Sequence, residues 1–234
     1  MTEKRIKLSF IGITLGMISS VLMQTIIATI LPTISNDLGN KDLYGWVFSS
    51  YMIASTITIP LFANLSDVYG RKIFYLLGML LFLTGSLLSG FAQSMNQLII
   101  FRIIQGIGAG AIAPSAIAMI SELFTFEKRV KMLGLLSAFQ VFANILGPLL
   151  GGFIADIYSW RWAFFINIPI GILAFLLIKY NFFDISKNEK RDAITRKRIT
   201  SKGYLYSKYS TSCFYRILST GKKASKPHNF IRAY

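Results

Sequence analysis

The sequence contains few charged residues, and this shortage indicates its class. Asp, Glu, Lys and Arg make up 15% of the 234 residues, whereas an ordinary soluble protein carries about 25%. Hydrophobic residues make up 53% of the chain, and 19 residues are Phe. A long chain of this composition is typical of a protein that lies in a lipid bilayer.

Cysteine and histidine are almost absent. Cys213 and His228 are the single examples of each, and both follow the last long apolar run. One cysteine excludes an internal disulfide, and a Cys/His metal site is not expected. A Ser/His/Asp or Cys/His catalytic set is excluded from the apolar part. We therefore expect neither an enzyme nor a metal or cofactor site.

Long stretches without any charged residue set the number of membrane spans. A helix of about 20 residues crosses roughly 30 Å of hydrocarbon. Residues 73–121 hold a single charge, Arg102, but are too long for one span, and "AQSMNQ" (92–97) is a natural turn. The prediction is an all-α integral membrane protein with six transmembrane helices near residues 8–34, 44–64, 73–92, 98–121, 132–155 and 162–180. The first is too long for a cleavable signal peptide.

Basic residues cluster at alternate connections between these helices. Three sites hold Lys4, Arg5, Lys7, Arg71, Lys72, Lys128, Arg129 and Lys131. The alternate loops hold only Lys41 and Arg161. Because positive loops stay inside, we predict a multi-pass protein of the cell (plasma) membrane with a cytoplasmic N-terminus.

Polar side chains inside the predicted spans are the candidate pathway residues. Arg102 lies just inside the fourth span, where a charge at the centre would cost roughly 3 kcal/mol. Gln105 follows one turn later on the same face, and Gln24 and Thr25 lie in the first span. These four are predicted to line a cavity. The alternatives are that Arg102 extends to the outer surface and that Gln24 makes one interhelical hydrogen bond.

Acidic residues are missing from the middle of every predicted span. All seven acids of residues 1–180 lie in loops or near helix ends. A proton relay through these six helices therefore lacks its usual acid–base group.

One short polar stretch resembles a known family signature. "NLSDVYGRK" resembles the loop between helices 2 and 3 of the major facilitator superfamily. The matching positions are Leu65, Asp67, Gly70, Arg71 and Lys72, while Ala63 stands where Gly is usual. Gly70 permits a tight turn, and Asp67 is expected to cap a helix start and pair with a base.

Four further stretches resemble that family in order and spacing. "RIIQGIGAG" (102–110) resembles its helix 4 signature, and "QTIIATILPTI" (24–34) the helix 1 signature of its fourteen-span drug:proton antiporters. "ANILGPLLGG" resembles the helix 5 antiporter signature, with Gly147, Pro148, Gly151 and Gly152. "WRWAFFINIPIG" resembles the helix 6 signature, with Trp160, Arg161, Trp162, Asn167 and Pro169.

The resemblance implies a fold and an activity. The fold is the N-terminal six-helix half of the family bundle, built from two three-helix inverted repeats. The activity is export of small amphipathic, cationic or lipophilic compounds in exchange for protons, with Arg102 and Gln105 lining the cavity. Gly147 to Gly152 would form a kinked gate in the fifth helix, and Asp67, Arg71 and Lys72 a cytoplasmic latch. Met23 stands where many relatives carry Asp.

Residues 181–234 differ from the rest. They hold 13 bases and 3 acids, and Ser, Lys, Tyr and Thr dominate. We expect a basic, disordered cytoplasmic tail and favour out-of-frame translation after a frameshift near residues 190–200. The alternative is a genuine short protein whose tail binds anionic lipid. Nucleic-acid binding has the right charge but no motif.

Three functions follow for such a chain. It is a transporter if two six-helix halves pair, or if a second chain supplies the missing C-terminal half. It is otherwise a non-functional or structural membrane fragment, or a regulator that pairs with a full-length relative. In each case membrane lipid surrounds it.

Overall fold

The computed structural model describes residues 2–183, and this part of the chain is helical. The α-helices are α1 (Glu3–Leu38), α2 (Tyr44–Tyr69), α3 (Arg71–Gly90), α4 (Met95–Leu123), α5 (Phe126–Ile157), α6 (Arg161–Phe165) and α7 (Asn167–Asn181), with a 3-10 turn at Lys41–Leu43. Counting α6 and α7 as one span, six helices are long and apolar enough to cross a membrane. The predicted fold class is therefore confirmed, whereas the predicted tail lies almost entirely outside the described residues.

Most helices extend beyond the predicted spans. α1 contains 36 residues, or about 54 Å at 1.5 Å per residue, although the hydrocarbon core is only about 30 Å thick. A helix can continue into the polar interface because its backbone hydrogen bonds are internal. The hydropathy of the sequence marks the apolar segment and does not mark the helix end.

The packing of the first three spans is repeated in the last three. α1 packs mainly on α5 and α7, and α4 packs in the same way on α2 and α3. α3 and α7 also touch, as do α1 and α4. This exchange pattern is the one expected of two three-helix repeats. The core lies along α1, α3 and α4, while α2 and α5 are the least buried spans.

Small residues hold α4 against both of its neighbours. A Cβ added at Gly106 would lie 2.6 Å from the backbone oxygen of Tyr51 in α2, and one at Gly108 would lie 2.6 Å from the Gly78 oxygen in α3. No side chain fits at those distances, so glycine is what permits both contacts.

The sixth span is interrupted. It is divided at Ile166 into α6 and α7. Pro169 has no backbone N–H to donate to the carbonyl oxygen of Phe165 four residues earlier, although Ile166 itself keeps helical angles, with φ −59° and ψ −29°. α5 continues as one helix through Pro148, and the bend expected at that residue stays a prediction.

The two ends of the bundle carry different residues. We call the end where α2 meets α3, α4 meets α5 and α7 terminates the Gly70 end. The opposite end, where α5 meets α6, is the Trp160 end.

Candidate functional site

Arg102 is completely buried in α4, and its guanidinium group points towards α2. Its Nη1 donates to Gln105 Oε1 over 2.7 Å, and its Nε donates to the Val47 carbonyl oxygen over 3.4 Å. Its Cζ lies 4.2 Å from the centre of the Tyr51 ring, a cation–π geometry. The side chain therefore does not extend to the outer surface, which excludes the alternative placement.

The Arg102 cluster keeps two hydrogen-bond donors without partners. Arg102 Nη2 and Gln105 Nε2 are both buried, and neither has a partner among the described residues. In residues 2–183 no carboxylate forms a salt bridge with Arg102. Buried polar groups are almost always satisfied, so an acceptor beside these two donors, best of all an anionic one, would complete the cluster.

Gln24 reaches the same stretch of α2 from another side. Its Nε2 donates to the sulfur of Met52 over 2.8 Å, next to the Tyr51 that stacks on Arg102. Thr25 lies elsewhere, because its hydroxyl donates to carbonyl oxygens of its own helix and its side chain contacts Gly147 of α5. The structure thus joins Arg102 and Gln105 directly, brings Gln24 to the adjoining residue of α2, and separates Thr25.

Asn167 connects the sixth span to α1 at a second buried polar site. Ser19 Oγ donates to Asn167 Oδ1 over 2.8 Å, and Asn167 Nδ2 donates to Met23 Sδ over 2.8 Å. Met23 is the position where the resemblance predicts an Asp. In this chain a thioether occupies that position and accepts a hydrogen bond from Asn167.

The helix 5 signature packs α5 onto α1. A Cβ at Gly147 would overlap the Thr25 side chain, and one at Gly151 would lie 3.1 Å from Thr29 Cβ. Gly152 has open space around it, and Pro148 is exposed. Only the first and third of these four residues are therefore in the close helix contact.

The predicted loop signature at 65–72 is a single-residue connection. α2 continues to Tyr69 and α3 begins at Arg71, so Gly70 alone joins them, with φ 112° and ψ 134°. This positive φ strains any residue with a Cβ, which explains the glycine. Asp67 does not cap a helix start as expected, because it lies in the last turn of α2.

Arg71 binds three groups at the Gly70 end. Its Nη1 donates to the Ala118 oxygen over 2.7 Å and lies 3.2 Å from Glu122 Oε1, and its Nη2 lies 3.3 Å from Asp67 Oδ1. Leu65 is half-buried. Lys72 Nζ donates to the carbonyl oxygens of Lys179 and Phe182. The latch residues are thus engaged within this helical bundle.

At the Trp160 end, the helix 6 signature ties three segments together. Trp160 Nε1 donates to Asp37 Oδ2 over 2.8 Å, and Arg161 Nη1 lies 3.1 Å from the same oxygen. Arg161 Nη2 also donates to the Ala92 oxygen over 3.3 Å. Trp162 is exposed and packs edge-on against Phe165.

Comparison with protein-family models identifies the family of this chain. The model described as Major Facilitator Superfamily matches residues 13–227. The chain belongs to the major facilitator superfamily. The family to which the prediction assigned the chain is thus confirmed.

Curated relatives of this major facilitator chain include two proteins of Bacillus subtilis. It is 49% identical to Multidrug resistance protein 3 over 182 residues, which are 76% of this chain and 36% of that protein. It is 40% identical to the multidrug transporter protein MdtP over 167 residues, which are 71% of this chain and 31% of that protein. The chain thus spans about a third of the length of these relatives.

Two solved structures share the fold. The D-xylose-proton symporter superposes with a TM-score of 0.70 at 19% identity, covering 92% of this chain and 55% of that one. A bacterial homolog of the human lysosomal transporter Spinster superposes with a TM-score of 0.66 at 17% identity. The match covers 79% of this chain and 44% of that one. At these identities the comparison supports the fold alone.

Sequence reasoning about this major facilitator chain missed three site residues. Tyr51 and Ser19 gave no signal in the sequence, since a Tyr or Ser in an apolar helix is ordinary. Glu122 could have been found, because α3 and α4 are antiparallel neighbours and the end of one must lie beside the start of the other. Among the described residues no group of three potential metal ligands is present.

Proposed function

We propose that this chain forms the N-terminal half of a proton-coupled exporter of small amphipathic, cationic or lipophilic compounds. The observation that carries the proposal is Arg102, a buried cation at membrane depth whose partners leave two donors unsatisfied. Buried charge within a span is costly and is typical of a transport pathway. The names of the two relatives from Bacillus subtilis support multidrug compounds as the substrate class.

Arg102 acts on proton coupling through its charge. A guanidinium stays protonated at all physiological pH values, so Arg102 cannot carry the transported proton. It can lower the pKa of a carboxylate that approaches Nη2, because an opposite charge within about 4–6 Å favours the ionised form. Since the described spans lack a central acid, that carboxylate would come from a second half.

The exposed faces of α2 and α5 support this need for a second half. These two spans are the least buried, and several large apolar side chains on them are exposed, among them Ile57, Ile145 and Leu149. In this family the substrate site lies between two halves. We propose that a second copy or another chain covers these faces in the plasma membrane, with the Gly70 end cytoplasmic.

Dye efflux tests the proposal. The chain is expressed in an exporter-deficient bacterium, and retention of ethidium is compared with that of cells making equal amounts of the Arg102→Ala chain. Faster loss of ethidium from the unaltered chain, abolished by a protonophore, is the expected result. Equal retention in both strains would rule out independent transport.

The same exposed faces favour one second candidate, a regulator that pairs with a full-length relative. Co-expression with Multidrug resistance protein 3 distinguishes it. A regulator reduces or raises the efflux by that relative, and this change is lost when Ile57 and Ile145 are replaced by Trp. An inert fragment leaves the efflux unchanged.

A further inference from the structure

An apolar groove runs along the outside of the bundle between α3 and α7. Its walls are formed by Leu80, Leu83 and Leu87 of α3 and by Ile168, Ile172 and Phe175 of α7. The open cavity has a volume of about 320 Å³, which lies at the lower end of the range for small-molecule sites. Thr84 also borders it, but its hydroxyl donates to the Leu80 oxygen over 2.8 Å. The groove therefore offers a hydrocarbon surface about 10 Å long.

Each wall of the groove ends in a lysine at the Gly70 end. Lys72 precedes Leu80, Leu83 and Leu87 by about two, three and four helical turns, so these side chains share one face of α3. Lys179 follows Phe175 and Ile172 by about one and two turns and thus lies on the groove face of α7. Because the two helices are antiparallel, both lysines lie at the same end of the groove.

Direct contacts place further positive charge at this end. Lys72 Nζ donates to the Lys179 carbonyl oxygen over 2.8 Å, which brings the start of α3 to the end of α7. Arg5 Cζ and Lys72 Nζ both lie over the Phe183 ring, at 5.2 and 5.5 Å from its centre. Lys179 is exposed. Three cationic side chains from three helices thus lie at the Gly70 end, beyond the last lining residues of the apolar groove.

We propose that this groove binds one anionic phospholipid, of the phosphatidylglycerol type. Its acyl chain lies between α3 and α7, where the side chains are apolar apart from Thr84, whose hydroxyl is bonded to its own helix. Its phosphate lies against Lys72 and Lys179, at the depth where headgroups begin. A neutral lipid would fill the groove equally well but would lack the charge pairing, so the site discriminates by headgroup.

Because the lysines lie at one end of the apolar groove, the arrangement favours a lipid over a soluble anion. A free phosphate would use the lysines and leave the groove empty, and an apolar drug would use the groove and ignore the lysines. A lipid with an anionic headgroup, oriented as it is in the membrane, contacts the lysines with its headgroup and the groove with its hydrocarbon tail. The distance also fits, because the groove begins within about two turns, or roughly 11 Å, of the two lysines.

Lipid retention by the purified full chain tests the proposal. The chain is purified in mild detergent, incubated with phosphatidylglycerol or with phosphatidylcholine of the same acyl chains, and examined by native mass spectrometry. We expect one phosphatidylglycerol to be retained per chain at concentrations where phosphatidylcholine is not. One exposed lysine near a membrane surface contributes about a fivefold change in affinity, so Lys179→Gln should weaken phosphatidylglycerol retention by about that factor.

Two further variants distinguish this site from general surface charge. Lys131→Gln removes an exposed lysine at the Gly70 end of α5, away from the groove, and should leave retention unchanged. Ile172→Trp fills the groove and should abolish retention of phosphatidylglycerol while the lysines remain. Equal retention of both lipids by the unaltered chain, or equal losses in Lys179→Gln and Lys131→Gln, would overturn the proposal. Each variant must elute as a single peak with unchanged helix content.

Discussion

At the scale of single residues, burial decides how much each charged side chain contributes. Arg102 is fully buried and has no acid beside it in residues 2–183, whereas Arg71 lies between two acids and keeps part of its surface in water. A buried charge contributes little to stability, because the free energy lost on removing it from water offsets much of the free energy gained from its partners. Arg102 is therefore a poor source of stability, in keeping with the transport role proposed for it, whereas Arg71 links α2, α3 and α4.

Removing the whole Arg102 cluster should separate function from stability. Gln105→Leu alone leaves a buried cation without its best acceptor and should lower the free energy of unfolding by about 1.5–3 kcal/mol. Arg102→Met combined with Gln105→Leu removes both polar groups and should restore stability to that of the unaltered chain or above it. Thermal unfolding in detergent measures both changes. A double variant less stable than Gln105→Leu would contradict this account.

The two acids beside Arg71 should contribute different amounts to the stability of the protein. The Glu122 side chain is 12% exposed and the Asp67 side chain 57% exposed, so solvent screens the second pair much more than the first. Glu122→Gln should lower the thermal midpoint clearly, whereas Asp67→Asn should cost less than about 1 kcal/mol. In 0.5 M NaCl the Asp67→Asn effect should vanish and the Glu122→Gln effect should persist. Equal effects at both positions would show that burial does not separate them.

At the scale of helices, glycines set how closely neighbours approach. Gly106 and Gly108 let α4 contact α2 and α3, and Gly147 lets α5 contact Thr25 of α1. At these three contacts a glycine, and not a large side chain, faces the neighbouring helix. Packing of this kind is sensitive to one added methyl group.

Gly147 and Gly152 form a matched pair in one helix. Gly147→Ala places a methyl group against the Thr25 side chain and should reduce stability by about 1–3 kcal/mol. Gly152→Ala meets nothing within 4 Å and should be neutral or stabilising by up to about 1 kcal/mol, because Ala favours a helix. Unfolding in mixed SDS micelles measures both. Similar losses in the two variants would mean that the close contact is not what constrains this signature.

Helix number was predictable from the sequence, and helix joints were not. Uncharged runs identify six spans because the lipid interior tolerates few charges. The fourth span was predicted correctly although it contains the charged residue Arg102. The single-residue joint at Gly70 was predicted as an eight-residue turn, since Asp67 and the other polar residues continue the helix instead of leaving it. Likewise, the partners of Arg102 could not be read from the sequence. Tyr51 and the carbonyl of Val47 are brought to it only by the packing of α2 on α4.

At the scale of the whole molecule, charge divides the bundle into two unlike ends. The Gly70 end holds most of the bases of the described chain, whereas the Trp160 end holds Arg161 paired with Asp37. Electrostatic bias of this kind orients membrane proteins during insertion. The two ends should therefore face different compartments in every copy.

Cysteine labelling checks that orientation. With Cys213 replaced by Ser, single cysteines are introduced at exposed Lys128, at the Gly70 end, and at exposed Asp156, at the Trp160 end. A membrane-impermeant maleimide added to intact cells should label Asp156→Cys and should reach Lys128→Cys only after the membrane is opened. The reverse pattern would place the N-terminus outside.

The one-residue joint at Gly70 also bears on how the protein is made. α2 and α3 cross the bilayer in opposite directions, yet a single residue separates them. One residue gives the two helices no room to separate at this end, so α2 and α3 should behave as a single hairpin when the bundle assembles.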